Sequence, residues 1–117
     1  MPDRIDPIVE LGRCLGYRFT DPGTAKQALT HRSAGPVHNE RLEFLGDAVI
    51  GLAVADMLYA EWPELAEGDL TRMRSSLVNG EALARIARTL GLGELITMGV
   101  GERHGGGSQR RSILENV

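Results

Sequence analysis

A chain of 117 residues with 42 % apolar, 25 % charged and 4 % aromatic residues fits one small globular domain, or part of a larger one, and is too apolar for a disordered segment. Its longest apolar run, Ala48 to Ala55, falls well short of the roughly 18 residues a membrane span needs, and one cysteine, Cys14, excludes a disulfide scaffold and a multi-cysteine zinc site. The formal net charge of −3 lacks the basic surplus usual in nucleic-acid binders.

The chain opens with Asp6-Pro7, which predicts a helix capped by Asp6 with proline at its first position. Ile8, Leu11 and Leu15 follow at helical spacing, and Gly16 stops the run. Asp21-Pro22 repeats the signal, Ala25, Ala28 and Leu29 give a short apolar face, and a loop runs from His31 to His38. The third helix is the longest, from a cap at Asn39 to about Trp62, with Pro63 as its end. A fourth is expected from Asp69 to Asn79 with Gly80 as its stop. A fifth runs from Glu81 to Leu90 with a stripe of Leu83, Ile86, Ala87 and Leu90. Glycine-rich sequence follows, from Gly91 to Gly107, and reads as flexible loop; no Lys-Ser/Thr follows that would make it a P-loop. Ser112-Ile113-Leu114-Glu115 fits a capping box, the mark of a starting helix, and two readings stay open for it. It is a helix cut short at Val117, or a docked C-terminal turn. No stretch alternates as a strand would, so the fold class is all-α.

Chemistry concentrates on the third helix. At about 100° per residue, Glu40, Glu43 and Asp47 share one face. Leu42, Leu45 and Val49 lie opposite, and Phe44 and Ile50 flank the acids. A helix apolar almost all round is expected to be buried, so the acids are expected in or beside a core. Like charges at this spacing repel, and burial raises carboxylate pKa values. A hard divalent cation such as Mg²⁺ would relieve both strains. The alternative is a structural network in which Arg41, Arg72 or Arg74 pairs with the acids. The apolar surplus of Leu42, Phe44, Leu45 and Ile50 also suggests packing across a dimer.

The segment His38-Asn39-Glu40-Arg41-Leu42-Glu43-Phe44-Leu45-Gly46-Asp47-Ala48 resembles the signature of the ribonuclease III family. Ala28-Leu29-Thr30-His31-Arg32-Ser33, Glu67-Gly68-Asp69-Leu70-Thr71-Arg72-Met73-Arg74 and Ser112-Ile113-Leu114 resemble flanking segments of the bacterial enzyme. The likeness implies an all-helical endonuclease domain over residues 1–117, C-terminally incomplete, with no double-stranded RNA-binding domain in this chain. It implies a homodimer that cuts double-stranded RNA with Mg²⁺, or Mn²⁺ as substitute. The ends left are 5′-phosphate and 3′-hydroxyl, and the substrates include ribosomal and other RNA precursors. Glu43 and Asp47 match the metal-binding acids, with Asp47 the residue whose loss should abolish cutting. Glu40 and Glu67 match acids expected at the RNA or the dimer. Asn116 stands where the family usually places a metal-binding Asp, and a further ligand Glu falls beyond Val117. A non-catalytic fragment that dimerises or binds RNA is therefore the alternative.

The remaining features carry less. Cys14 reads as a buried structural thiol, and Trp62 as a packing residue at a helix end. Gln109, Arg110 and Arg111 are free to touch phosphates or to stay solvated. Twelve of the 13 cations are Arg. No signal peptide precedes the first helix, which makes the cytoplasm the default and gives no membrane partner.

Overall fold

The computed structural model describes residues 6–107, 110–115 and 117. It is all-helical among these residues, and no helix is long and apolar enough to cross a membrane. Seven α-helices follow in order: α1 Pro7–Leu15, α2 Pro22–Ala28, α3 Glu40–Glu61, α4 Glu67–Val78, α5 Gly80–Thr89, α6 Val100–His104 and α7 Arg111–Leu114. Short 3₁₀ turns lie at Arg32–Ala34 and Leu92–Leu95.

The two Asp-Pro signals act as read. Asp6 accepts from Ile8 N–H and Asp21 from Thr24 N–H, and Gly16 closes α1 in the left-handed conformation with φ 64°. Gly12 is needed for a different reason. A Cβ there would stand 2.5 Å from the carbonyl oxygen of Tyr17, which belongs to the backbone returning from the helix. Gly12→Ala should therefore lower stability by about 1–3 kcal/mol, the usual scale for overpacking. Gly101→Ala, which meets open space, should leave the melting temperature nearly unchanged. Thermal melts of the two variants beside the wild type check this.

Several local readings need correction. Gly80 does not stop α4; it is the first residue of α5, whose cap is Asn79 accepting from Ala82 N–H. The α4 helix begins at Glu67, two residues before Asp69. Ser112 lies inside α7 rather than capping it: Arg110 holds the cap position, and Glu115 pairs with Arg111 instead of closing a box. The glycine-rich stretch is partly helical, because Leu92, Ile96 and Met98 are buried and pull it onto the core. Ile86 of the expected α5 stripe is half exposed, and Ala84 is fully buried in its place.

The core joins Leu11, Leu29, Ala84, Ala87, Leu92, Ile96, Met98, Ile113 and Leu114. No α3 residue belongs to it. Of α3, only Leu58 is buried, and it lies in the part that packs on α4. The expected burial of α3 is thus overturned. One domain of this size has core contacts for α1, α5 and the loops, and the long helix is left on the outside. The result is elongated, 57 × 29 × 24 Å. Trp62 is likewise half exposed, and Cys14 is half-buried, its Sγ 3.5 Å from the Leu90 carbonyl.

Candidate acidic site

The start of α3 is fixed by a knot of backbone bonds. Asn39 is buried, but its side chain does not cap the helix. Its Nδ2 donates to the Ala28 carbonyl at 3.1 Å, and its backbone N–H donates to Thr30 O at 3.0 Å. Gln27 Nε2 donates to His38 O. The same strip of chain is tied on its other side, where Thr97 N–H donates to Leu29 O and His31 N–H to Thr97 O, both at 2.8 Å. The one β-bridge among the described residues, Thr30 with Thr97, marks this join. The first turns of α3 are thereby anchored to the core while its side chains face outward.

Glu43 and Asp47 line one open cavity of about 520 Å³ between α3 and α5. Leu42, Ile50, Leu83 and Leu114 form apolar wall, and a third carboxylate, Glu115, stands at the same cavity. A second, more polar cleft of about 300 Å³ adjoins it, with Arg32, Glu40, Glu102 and Arg110 beside Glu43 and Glu115. Arg32 reaches Glu40 at 3.5 Å and Arg110 reaches Glu102 at 2.7 Å.

Glu43 is half-buried and Asp47 exposed. Burial pushes the Glu43 carboxyl above its usual range, and the charges of Glu40, Glu115 and Asp47 push it further the same way. Among the described residues no ion pair joins an Arg to Glu43 or Asp47. Arg72 pairs with Asp69 at 2.5 Å, so the anticipated arginine network does not neutralise the two acids. For a carboxyl whose pKa is raised by folding, the native state binds the proton more tightly than the unfolded chain. Stability must then fall as pH rises through the window between the ordinary and the raised value. Glu43→Gln should therefore melt higher than the wild type at pH 7, with the advantage gone below pH 4; melts at the two pH values check it.

Of the residues singled out in the sequence, the structure brings Glu43 and Asp47 together and puts Glu40 one turn away. Glu67 does not join them. It opens α4, beyond the far end of α3, about 20 Å along the helix axis from Asp47. Asn116 lies outside the described residues. Glu115 was missed because the capping-box pattern gave its carboxylate another task. The signal available was an acid beside Asn116, itself the position where the resemblance expects a metal-binding Asp. Glu102 and Arg32 carried no signal, since only the tertiary fold sets them at the cleft.

Among the described residues no three Asp, Glu, His or Cys side chains are close enough to hold a metal ion unaided. Two carboxylates are nevertheless the usual protein share of a Mg²⁺ site, which keeps waters and takes substrate phosphate oxygens. The donors here are hard oxygens, their charges repel, and among the described residues no cation forms an ion pair with Glu43 or Asp47. This chemistry fits a hard divalent ion.

The family model described as Ribonuclease-III-like matches residues 21–117. Ribonuclease 3 of Idiomarina loihiensis is 50 % identical over 111 residues, covering 95 % of this chain and 48 % of that protein. Ribonuclease 3 of Xanthomonas oryzae is 55 % identical over 110 residues, covering 94 % and 49 %. The chain thus spans about half the length of these curated relatives. Among solved structures, the nuclease domain of ribonuclease III from Campylobacter jejuni superimposes with a TM-score of 0.90 at 44 % identity. That match covers 93 % of this chain and 77 % of the other, and the structure was described for flexibility in a region involved in dimer formation. Dicer from Pichia stipitis matches at TM-score 0.57 and 28 % identity, over 85 % of this chain and 46 % of that one.

Proposed function

The chain belongs to the ribonuclease III family, and from that premise we propose that it is the nuclease module of an endoribonuclease that hydrolyses double-stranded RNA with a divalent cation. The observation that carries this is the acidic face of α3, with Glu43 and Asp47 at one open cavity and, among the described residues, no arginine in an ion pair with either. Glu43 and Asp47 would hold Mg²⁺, or Mn²⁺ in its place, and Asn116 would add a neutral amide oxygen. The ion, when bound, supplies an activated water and charge stabilisation at the scissile phosphate.

The chain's own residues do the rest. Asp47, exposed, is open to solvent and to a polyanionic backbone. Burial and the neighbouring acids make the charged form of Glu43 costly, a strain that a bound cation relieves. The anchored turn at Asn39 keeps both carboxylates in register with the core. Glu40, paired with Arg32, stands at the polar cleft where RNA would lie, and Glu67 is assigned to RNA or to a second subunit. The outward apolar side chains of α3 fit a homodimer, which would set two acidic centres on one duplex. The products are 5′-phosphate and 3′-hydroxyl ends, on ribosomal and other precursors in the cytoplasm.

The test is incubation of the full chain with a long RNA duplex and with single-stranded RNA, in Mg²⁺ and in chelator. Cutting of the duplex alone, and only with metal, is expected. A chain shown folded by circular dichroism that leaves the duplex whole would overturn the catalytic reading in favour of a dimerising or RNA-binding role.

A further inference from the structure

We propose that Glu115 is a positioning carboxylate of the acidic centre, supplying a third negative charge at the cavity of Glu43 and Asp47 and thereby setting its affinity for a divalent cation. The inference rests on the reading of that cavity as a cation site. It also concerns a residue that the family pattern does not mark.

Place is the first argument. Glu115 follows α7 directly and lines both the cavity it shares with Glu43 and Asp47 and the polar cleft it shares with Glu40 and Glu43. It therefore stands where the two openings meet. Ile113 and Leu114 just before it are buried, which holds the turn against the core.

Room is the second. Gly80, the first residue of α5, lies against the Glu115 carboxylate, and a Cβ at that position would run into it. Gly80 has an ordinary backbone conformation, so no turn requires glycine there. The missing side chain makes a cradle for the carboxylate.

Partnering is the third. Arg111 Nε donates to Glu115 Oε2 at 3.2 Å, and no other donor to this carboxylate is seen among the described residues. The Arg111 side chain is more than half exposed, and ion pairs of this kind are weak. The carboxylate is held in place without being neutralised.

Sequence register explains why this chain would use the position. It carries neutral Asn116 where the resemblance expects an acid, and the residue before it supplies a charge instead. Neighbouring helical positions differ by about 100°, so Glu115 cannot reproduce the direct ligation of a residue at 116. It can add charge and orient a cation-bound water. Removing an outer partner of this kind costs about 10–100-fold in metal affinity.

Isothermal titration with MgCl₂ and MnCl₂, without RNA, tests this on the full chain and on Glu115→Gln, Arg111→Gln, Glu43→Gln and Asp47→Asn. Glu115→Gln should bind cation about 10-fold more weakly or worse, and Arg111→Gln should bind at least as tightly as the wild type. Glu115→Asp, which keeps the charge, should stay closer to the wild type than to Glu115→Gln; it serves as well if Glu115→Gln fails to fold. A purely structural ion pair would instead make Glu115→Gln and Arg111→Gln melt lower alike, with cation affinity unmoved, and that result overturns the inference. If Glu43→Gln and Asp47→Asn lose the binding heat while Glu115→Gln keeps it, the cation site stands and this inference alone fails. If the wild type binds no cation, both fail.

Discussion

Asp47→Asn should reduce metal-dependent cleavage of an RNA duplex by at least about 100-fold and leave the fold intact. The loss follows from charge. Asn keeps the shape and one carbonyl oxygen but removes half of the negative charge that Glu43 and Asp47 jointly offer a cation. Removal of a single group aimed at developing charge in a transition state commonly costs about 10²–10³ in rate. The fold should be spared because Asp47 is exposed and makes no ion pair among the described residues. Substitutions at such positions change stability by about 0.5 kcal/mol or less. Initial rates of duplex cleavage at saturating Mg²⁺, read beside thermal melts, decide the matter. Undiminished cutting would remove Asp47 from the site, and a collapse of the melt would make it structural.

Phe44→Ala should convert a dimer into a monomer at tens of micromolar, raising the dissociation constant about 30-fold or more. Phe44 is 81 % exposed one residue from Glu43, and Leu45, Val49, Leu52 and Tyr59 continue along the same helix with most of their surface in water. Contiguous apolar surface of this kind marks an interaction site, and a central aromatic anchor commonly contributes 2 kcal/mol or more to an interface. That figure converts to the 30-fold change at 1.36 kcal/mol per decade. The same substitution should hardly alter the unfolding free energy of the isolated subunit, since Phe44 contributes nothing to the subunit core. Sedimentation equilibrium of wild type and variant checks the first statement, and denaturant unfolding of both at dilute concentration checks the second. A wild type that sediments as a monomer at tens of micromolar would sink the dimer reading.

Much of this was legible in the sequence for local reasons. Asp6-Pro7 and Asp21-Pro22 mark helix starts because the capping bond and the fixed proline φ involve only neighbouring residues. The spacing of Glu40, Glu43 and Asp47 puts them on one face of any helix containing them. The resemblance carried by His38 to Ala48 points to the family, and the relatives agree. Where local rules conflicted, sequence reading failed: Gly80 can end one helix or begin the next, and Ser112 with Glu115 satisfies a capping pattern that the fold does not use.

Burial is the property that the sequence misassigned most. An apolar helix read alone has no way to show which neighbour covers it, and α3 was expected in a core. The core formed instead from α1, α5, the turn after it and the end of α7, whose side chains meet only through contacts far apart in sequence. The sequence by itself determined the helical class, the long acidic helix, the family and the shared face of Glu43 and Asp47. Only the tertiary structure decided that α3 faces outward, that Glu67 lies at its distant end, and that Glu115 comes to the cavity beside Glu43. Those are facts of packing across dozens of residues, where helix periodicity, which links positions three and four apart, carries no information.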